Sequence, residues 1–138
     1  MSIRIVIGED SLIVREGVRR LLATDATVEV VAAVADADSL RDACERHEPD
    51  VVLTDIRMPP TSTDEGIRLA GELRDSQPHV GVVVLSQFSD PFYALALLDR
   101  GSDGRAYLLK ERVHNRAELM AAIRAVADGG SMIDPKIV

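Results

Sequence analysis

The sequence holds a single cysteine, Cys44, so no internal disulfide is possible, and nothing near it stands at metal-ligand spacing. Positive charge is in deficit. Sixteen Lys and Arg against 23 Asp and Glu leave a formal net charge of −7, which disfavours partners rich in phosphate, nucleic acid above all. No apolar run is long enough to span a bilayer, so no membrane partner is expected. The N-terminus enters a strand-like run at once, without a signal-peptide pattern, and the expected compartment is the cytoplasm. There is no block of like charge, no internal repeat and no low-complexity segment, which argues against disorder. The first strand-to-helix turn, Gly8-Glu9-Asp10-Ser11, lacks a glycine-rich fingerprint and is acidic. It would repel a pyrophosphate, which argues against nucleotide binding on a Rossmann-like sheet.

What remains is 138 residues, 46% of them hydrophobic, enough for one compact domain. The organising stretch is Val51-Val52-Leu53-Thr54-Asp55, an apolar β-branched run ending on a carboxylate. Arg57-Met58-Pro59-Pro60 follows, and its prolines forbid a continuing strand or helix. Such a run reads as a buried strand of a parallel sheet.

Similar runs occur at Ile3 to Gly8, Val28 to Ala33, Val80 to Ser86 and Ala106 to Leu109. Helical stripes alternate with them: Val14, Val18, Leu21 and Leu22; Leu40, Ala43 and Cys44; Gly66, Leu69, Ala70 and Leu73; Ala94, Leu97 and Leu98; Leu119, Ile123 and Val126. Ser11, Asp38 or Ser39, Asp90 before Pro91, and Asn115 with Glu118 are the expected helix starts; Gly101 and Gly129-Gly130 are stops. Five strand–helix alternations predict an α/β fold, a (βα)₅ doubly wound, five-stranded parallel sheet of flavodoxin-like order 2-1-3-4-5. Residues 131–138 read as the start of a linker or tail.

In such sheets ligands bind beyond the carboxyl ends of the strands, at the switch point between strands 1 and 3. Glu9 and Asp10, Asp55, Ser86 and Lys110 each stand at the C-terminal end of their own strand. Three carboxylates that close need a compensating cation or proton, and a hard divalent ion with retained waters, Mg²⁺, suits them, with Mn²⁺ as a substitute. A carboxylate between a metal, a lysine and a hydroxyl suits phosphoryl transfer to the carboxylate itself. Taken singly, each residue has an ordinary explanation: a turn aspartate, helix-start charge, a turn serine, a surface lysine, and for Tyr107 partial core packing in an edge strand. His47 reads as a helix-end residue, His79 and His114 as residues of polar connections, and Met58 as loop packing. The joint placement is the specific signal.

Ile5-Val6-Ile7-Gly8-Glu9-Asp10, Asp55-Ile56-Arg57-Met58-Pro59-Pro60, Val84-Leu85-Ser86 and Tyr107-Leu108-Leu109-Lys110 together resemble the receiver domain of two-component response regulators, over nearly the whole chain. Arg57-Met58-Pro59-Pro60, and Gly129-Gly130 followed by Asp134-Pro135, are most similar to the NarL/FixJ (LuxR-type) transcriptional class. The resemblance implies a receiver domain over residues 1–130, with Asp55 as phosphoacceptor. It implies a metal site of Glu9, Asp10, Asp55 and the Arg57 carbonyl, with Ser86, Tyr107 and Lys110 as switch and phosphate-binding residues. It also implies a sensor histidine kinase as donor and homodimerisation on phosphorylation. No DNA-binding domain lies within the chain, so DNA contact would come only through a helix-turn-helix domain beyond Val138. The implied role is a switch, not an enzyme. Alternatives are a stand-alone receiver acting by protein contact and a phosphatase with an Asp nucleophile. The phosphatase would need a second Asp two residues past the first, where Arg57 stands. One departure is Glu111 after Lys110, where many receivers have a cis proline. A cis bond to a non-proline residue is costly, so a trans or a strained bond is expected.

Overall fold

Runs of Val, Ile and Leu that must hide both faces form strands only if helices cover both sides of the sheet. In the computed structural model, which describes residues 2–87, 91–113 and 115–136, they do. The elements in order are β1 (Ile3–Gly8), α1 (Leu12–Ala23), β2 (Val28–Val34), α2 (Ala37–His47), β3 (Val51–Asp55), α3 (Glu65–Ser76), β4 (Gly81–Ser86), α4 (Pro91–Leu97), β5 (Arg105–Leu109), a 3₁₀ turn (Lys110–Arg112), α5 (Arg116–Ala127) and β6 (Ser131–Ile133). Every pairing is parallel, and the order is β2-β1-β3-β4-β5-β6. The expected order holds for the first five strands.

β6 was not expected. Ser131–Ile133 falls where the sequence reads as a linker, yet it pairs with Arg105–Tyr107 of β5. The consequence reaches Tyr107. With β6 beside it, β5 is not an edge strand, and Tyr107 is wholly buried rather than partly packed.

Alternation along the strands splits the core in two. Val6, Val52, Val82, Val84 and Tyr107 face the side covered by α2, α3 and α4. Ile5, Ile7, Leu53, Val83 and Leu108 face α1 and α5. Ser11 caps α1 through a bond from the Val14 amide, and Asn115 caps α5 through one from Glu118. The cap of α2 is Asp36, whose carboxylate accepts from the Ser39 amide at 2.7 Å, not Asp38 or Ser39. The reason is tertiary: the Ala37 amide is already bonded to the Pro59 carbonyl, which fixes where the helix begins. The expected start of α4 at Asp90, and His114, lie outside the described residues. α4 stops at Leu97, sooner than its stripe suggests, and the chain reaches Gly101 with a φ of +114° that glycine adopts without strain.

Arg105 is a further departure. The sequence reads the strand as starting at Ala106, but Arg105 is part of it and only 2% exposed. Its guanidinium donates to the carbonyls of Val80, Gly104 and Ala70, tying β5 to α3 and to the entry of β4. Burial pushes its pKa down to about 10, and the guanidinium still stays charged at neutral pH. Cys44 is buried in the other direction of chemistry: burial pushes its thiol up to about 12, so it is inert packing. Among the described residues no helix is long and apolar enough to cross a membrane.

Candidate phosphoacceptor site

Register sets the site. Gly8 pairs with Thr54, Asp55 with Leu85, and Ser86 with Leu109. One residue on, Glu9, Asp55, Ser86 and Lys110 leave the same end of four adjacent strands. The Lys110 ammonium sits 2.9 Å from Glu9 Oε1 and 3.0 Å from Asp55 Oδ2. Asp55 Oδ1 accepts from the Ile56 amide at 2.8 Å, which fixes the carboxylate plane. Glu9 Oε2 accepts from the Ser11 amide at 3.0 Å.

One carboxylate oxygen each from Glu9, Asp10 and Asp55 lie within 4.8 Å of one another. The set is all oxygen. Asp10 is exposed while Glu9 is buried, so one side of the cluster is open to water. Hard, hydrated divalent cations choose such donors. Burial pushes the Glu9 carboxyl up, against bonds from the Ser11 amide and Lys110. Burial works against the Lys110 charge too, but its bonds to Glu9 and Asp55 outweigh that and hold its pKa above the ordinary lysine range. The ammonium is therefore a fixed charge between two carboxylates.

Beside Asp55 lies a cavity of about 120 Å³ lined by Asp55, Ile56, Arg57, Ser86 and Gln87. A roomier groove of about 260 Å³ between α1 and β2 contains none of the clustered carboxylates. The Arg57 side chain turns outward: it donates to the Tyr93 hydroxyl at 3.0 Å and lies over that ring, 5.9 Å from its centroid. Met58 is fully buried, its sulfur 3.9 Å from the Thr54 hydroxyl. Tyr107 does not line the cavity. It lies three residues before Lys110, in the core layer with Val84, Ala94 and Leu97. His47 ends α2, as its stripe suggests, and His79 is exposed in a turn. Among the described residues the one cis peptide bond is Pro59–Pro60, so Lys110–Glu111 is trans and opens the 3₁₀ turn.

The model of the response regulator receiver domain matches residues 5–124. The chain belongs to that family. It is similar to the transcriptional regulatory protein DegU of Brevibacillus brevis, 39% identical over 99% of this chain and 55% of that protein. It is 33% identical to the transcriptional regulatory protein LnrK of Bacillus subtilis (strain 168), over 98% of this chain and 58% of that one. The receiver thus spans a little over half the length of these curated relatives. Among solved structures it resembles the signal receiver domain of the putative response regulator NarL from Mycobacterium tuberculosis. That match has a TM-score of 0.81 at 30% identity and covers 93% of this chain and 98% of that one.

One residue supporting the receiver's site escaped the sequence reading. Glu65, 3% exposed, stands in the first turn of α3 and gathers the loop that follows Asp55. Its carboxylate accepts from the amides of Thr61 at 2.7 Å, Ser62 at 3.1 Å and Thr63 at 2.9 Å, and from the Thr61 hydroxyl. The only signal for it was an acidic residue at a helix start. Burial pushes its pKa up, but the bonds from Thr61 and Thr63 prevail and hold it at about 2. The folded value lies below the ordinary glutamate value of 4.5. The stabilisation is therefore complete above the unfolded pKa and fades as pH falls toward about 2. Glu65→Gln is expected to lose about 1–2 kcal/mol at neutral pH. Urea midpoints measured at about pH 6 and about pH 3 check this: the gap between parent and variant narrows in acid. A gap that is constant with pH would sink the assignment.

Proposed function

We propose that this receiver is a phosphoacceptor switch. Asp55 takes a phosphoryl group from the phosphohistidine of a sensor histidine kinase, with Mg²⁺ held by Glu9, Asp10, Asp55 and the Arg57 carbonyl. The observation that carries the reading is the position of Lys110, within 3.0 Å of Asp55, beside three carboxylate oxygens that fit a hard cation.

An Asp55 oxygen forms the new O–P bond as the P–N bond to the kinase imidazole breaks. Glu9 and Lys110 hold the charge balance of the site before transfer. Afterwards Lys110 moves from Asp55 Oδ2 to an oxygen of the transferred group, and Ser86, on the wall of the same cavity, donates its hydroxyl. When bound, Mg²⁺ supplies positive charge against the phosphoryl oxygens. The protein is a switch rather than a phosphatase, because position 57 offers a guanidinium and not a second carboxyl for acid–base work.

The phosphoryl group adds up to about −2 charge at the mouth of the sheet. That biases the face made by α4, β5 and α5, with Tyr107 following Ser86, and the receiver homodimerises. Phe92 and Leu95 on α4, 66% and 70% exposed, support an interface there, and Leu12 and Ile13 on α1, 61% and 86% exposed, support the α1 and α5 face as the alternative. DegU and LnrK carry "transcriptional regulatory protein" in their names and are longer, which supports a DNA-binding helix-turn-helix domain beyond Val138 and a cytoplasmic setting.

The metal is the handle for a test. Affinity for Mg²⁺ should be weak, on the order of millimolar, since water supplies most ligands. Labelling of wild type by acetyl phosphate should stop with a chelator and return with Mg²⁺ or Mn²⁺. Asp10→Ala should slow it by at least about tenfold. Label that reaches one phosphoryl group per chain supports a switch, whereas many turnovers without accumulated label would make the protein a hydrolase. Labelling indifferent to chelator would remove the metal from the mechanism.

A further inference from the structure

Pro135 has no backbone N–H, so it cannot extend the parallel ladder of β6, and a residue before proline is steered away from helix. The ladder does not simply end there. The Asp134 amide donates to the Tyr107 carbonyl at 2.8 Å. Its side chain then replaces the backbone: Asp134 Oδ2 accepts from the Leu109 amide at 3.0 Å, while Oδ1 accepts from the Lys136 amide at 3.0 Å and turns the chain outward. Arg112, in the turn after β5, donates from Nε to the same Oδ2 at 2.7 Å and reaches Glu118 of α5 at 3.3 Å. Asp134 is 0% exposed. Burial opposes its charge, but the bonds from Arg112, Leu109 and Lys136 outweigh that and hold its pKa below the ordinary value.

A buried carboxylate with three donors holds both sides of what it joins. Here one side is Leu109 and the turn opening at Lys110. The other is Ile133 to Lys136, the segment by which the chain leaves the sheet. We propose that Asp134 is a positioning residue for the phosphoacceptor site. It clamps the departing segment to the end of β5 that presents Lys110, so that movement of Lys110 is carried directly to residues 133–136. This rests on the phosphoacceptor reading of Asp55. By reciprocity, the clamp also sets where Lys110 stands before transfer.

The test uses the 138-residue chain with Asp134→Asn and Asp134→Ala. Thermal unfolding is recorded first, so that comparisons refer to folded protein. Amide exchange is then followed at Leu109 and across 131–136, with and without Mg²⁺ and beryllofluoride, and the rate of acetyl phosphate labelling is measured on the same samples. In Asp134→Ala, exchange at Leu109 should accelerate roughly tenfold or more. Labelling of the folded protein should slow by about tenfold, because a displaced cation no longer meets the phosphoryl oxygens. Asp134→Asn should fall between, since it keeps an acceptor for Leu109 but loses the charge facing Arg112. Beryllofluoride should change exchange across 131–136 in wild type and leave it unchanged in Asp134→Ala. A variant that only melts earlier, with labelling and the beryllofluoride response intact, would overturn the proposal. If wild type takes neither acetyl phosphate label nor beryllofluoride, the phosphoacceptor reading fails instead. The clamp is then judged by Leu109 alone, where unchanged exchange in Asp134→Ala overturns it and faster exchange upholds it.

Discussion

Asp55→Asn is expected to give a folded receiver that takes no label from acetyl phosphate or from a phosphorylated kinase. The substitution preserves shape. An amide oxygen can still accept from the Ile56 amide, which Asp55 Oδ1 meets at 2.8 Å. The nucleophile is gone, because a neutral carboxamide offers no anionic oxygen to phosphorus. Lys110 loses its partner at 3.0 Å and keeps Glu9 at 2.9 Å, so the half-buried ammonium still has a counter-charge and the strand ends should stay in place. Intact-protein mass measures the outcome: at least about a hundredfold less label than wild type under the same Mg²⁺ and donor. Full labelling in the variant would refute the role of Asp55, whatever becomes of the metal.

Gly66→Ala should be the most damaging single methyl in the domain. Gly66 lies in the first turn of α3, and its amide donates to the Ile56 carbonyl at 2.8 Å. A Cβ there would stand 2.0 Å from the Asp55 carbonyl oxygen and 3.0 Å from its carbon. Both obstacles are backbone at the centre of the sheet, so no side chain can swing aside. Either α3 lifts off the sheet or the end of β3 moves, and Asp55 moves with it. The expected loss is at least about 3 kcal/mol, seen as a lower urea midpoint. Folded protein that remains should label more slowly than wild type, since Asp55 and Lys110 no longer align. Gly71→Ala is the control. Among the described residues nothing beyond its own helical backbone and chain neighbours lies within 4 Å of a Cβ at Gly71, and alanine favours a helix, so it should be neutral or slightly stabilising. Equal behaviour of the two variants would show that the contact between α3 and β3 is not the constraint it looks to be.

How far the sequence goes depends on how far apart the partners are. The five long strands were legible because each carries an apolar run, β-branched and almost wholly buried in β3 and β4, half-buried in β2 and short in β5. The gathering of Glu9, Asp55, Ser86 and Lys110 was legible because parallel strands deliver their last residues to one side. Residues whose reason lies elsewhere in the chain were not. β6 is three residues long, with only Met132 and Ile133 apolar, and it exists because β5 offers a free ladder. Arg105 looks like a solvated start to a strand until the carbonyls of Ala70 and Val80 are brought to it across 35 and 25 residues. Asp38 and Ser39 were the caps read on paper; Asp36 caps instead, because the Ala37 amide is held by the distant Pro59 carbonyl. Gly66 was placed correctly on the inner face of its helix, but the need for glycine there comes from the Asp55 carbonyl.

β6 also bears on how the domain behaves in solution. Cut at residue 124, where the family model ends, or at 130, the chain would lose Ser131–Ile133 and bare the outer row of amides and carbonyls along Arg105–Tyr107. A bared strand of that kind is a template for another chain, and the residues beside it, Ala106 to Leu109, are all apolar or aromatic. The short strand thus acts as a guard against aggregation. A fragment that runs to Lys136, with β6 and the aspartate that fastens it both present, is expected to stay dispersed at concentrations where one cut at 130 aggregates.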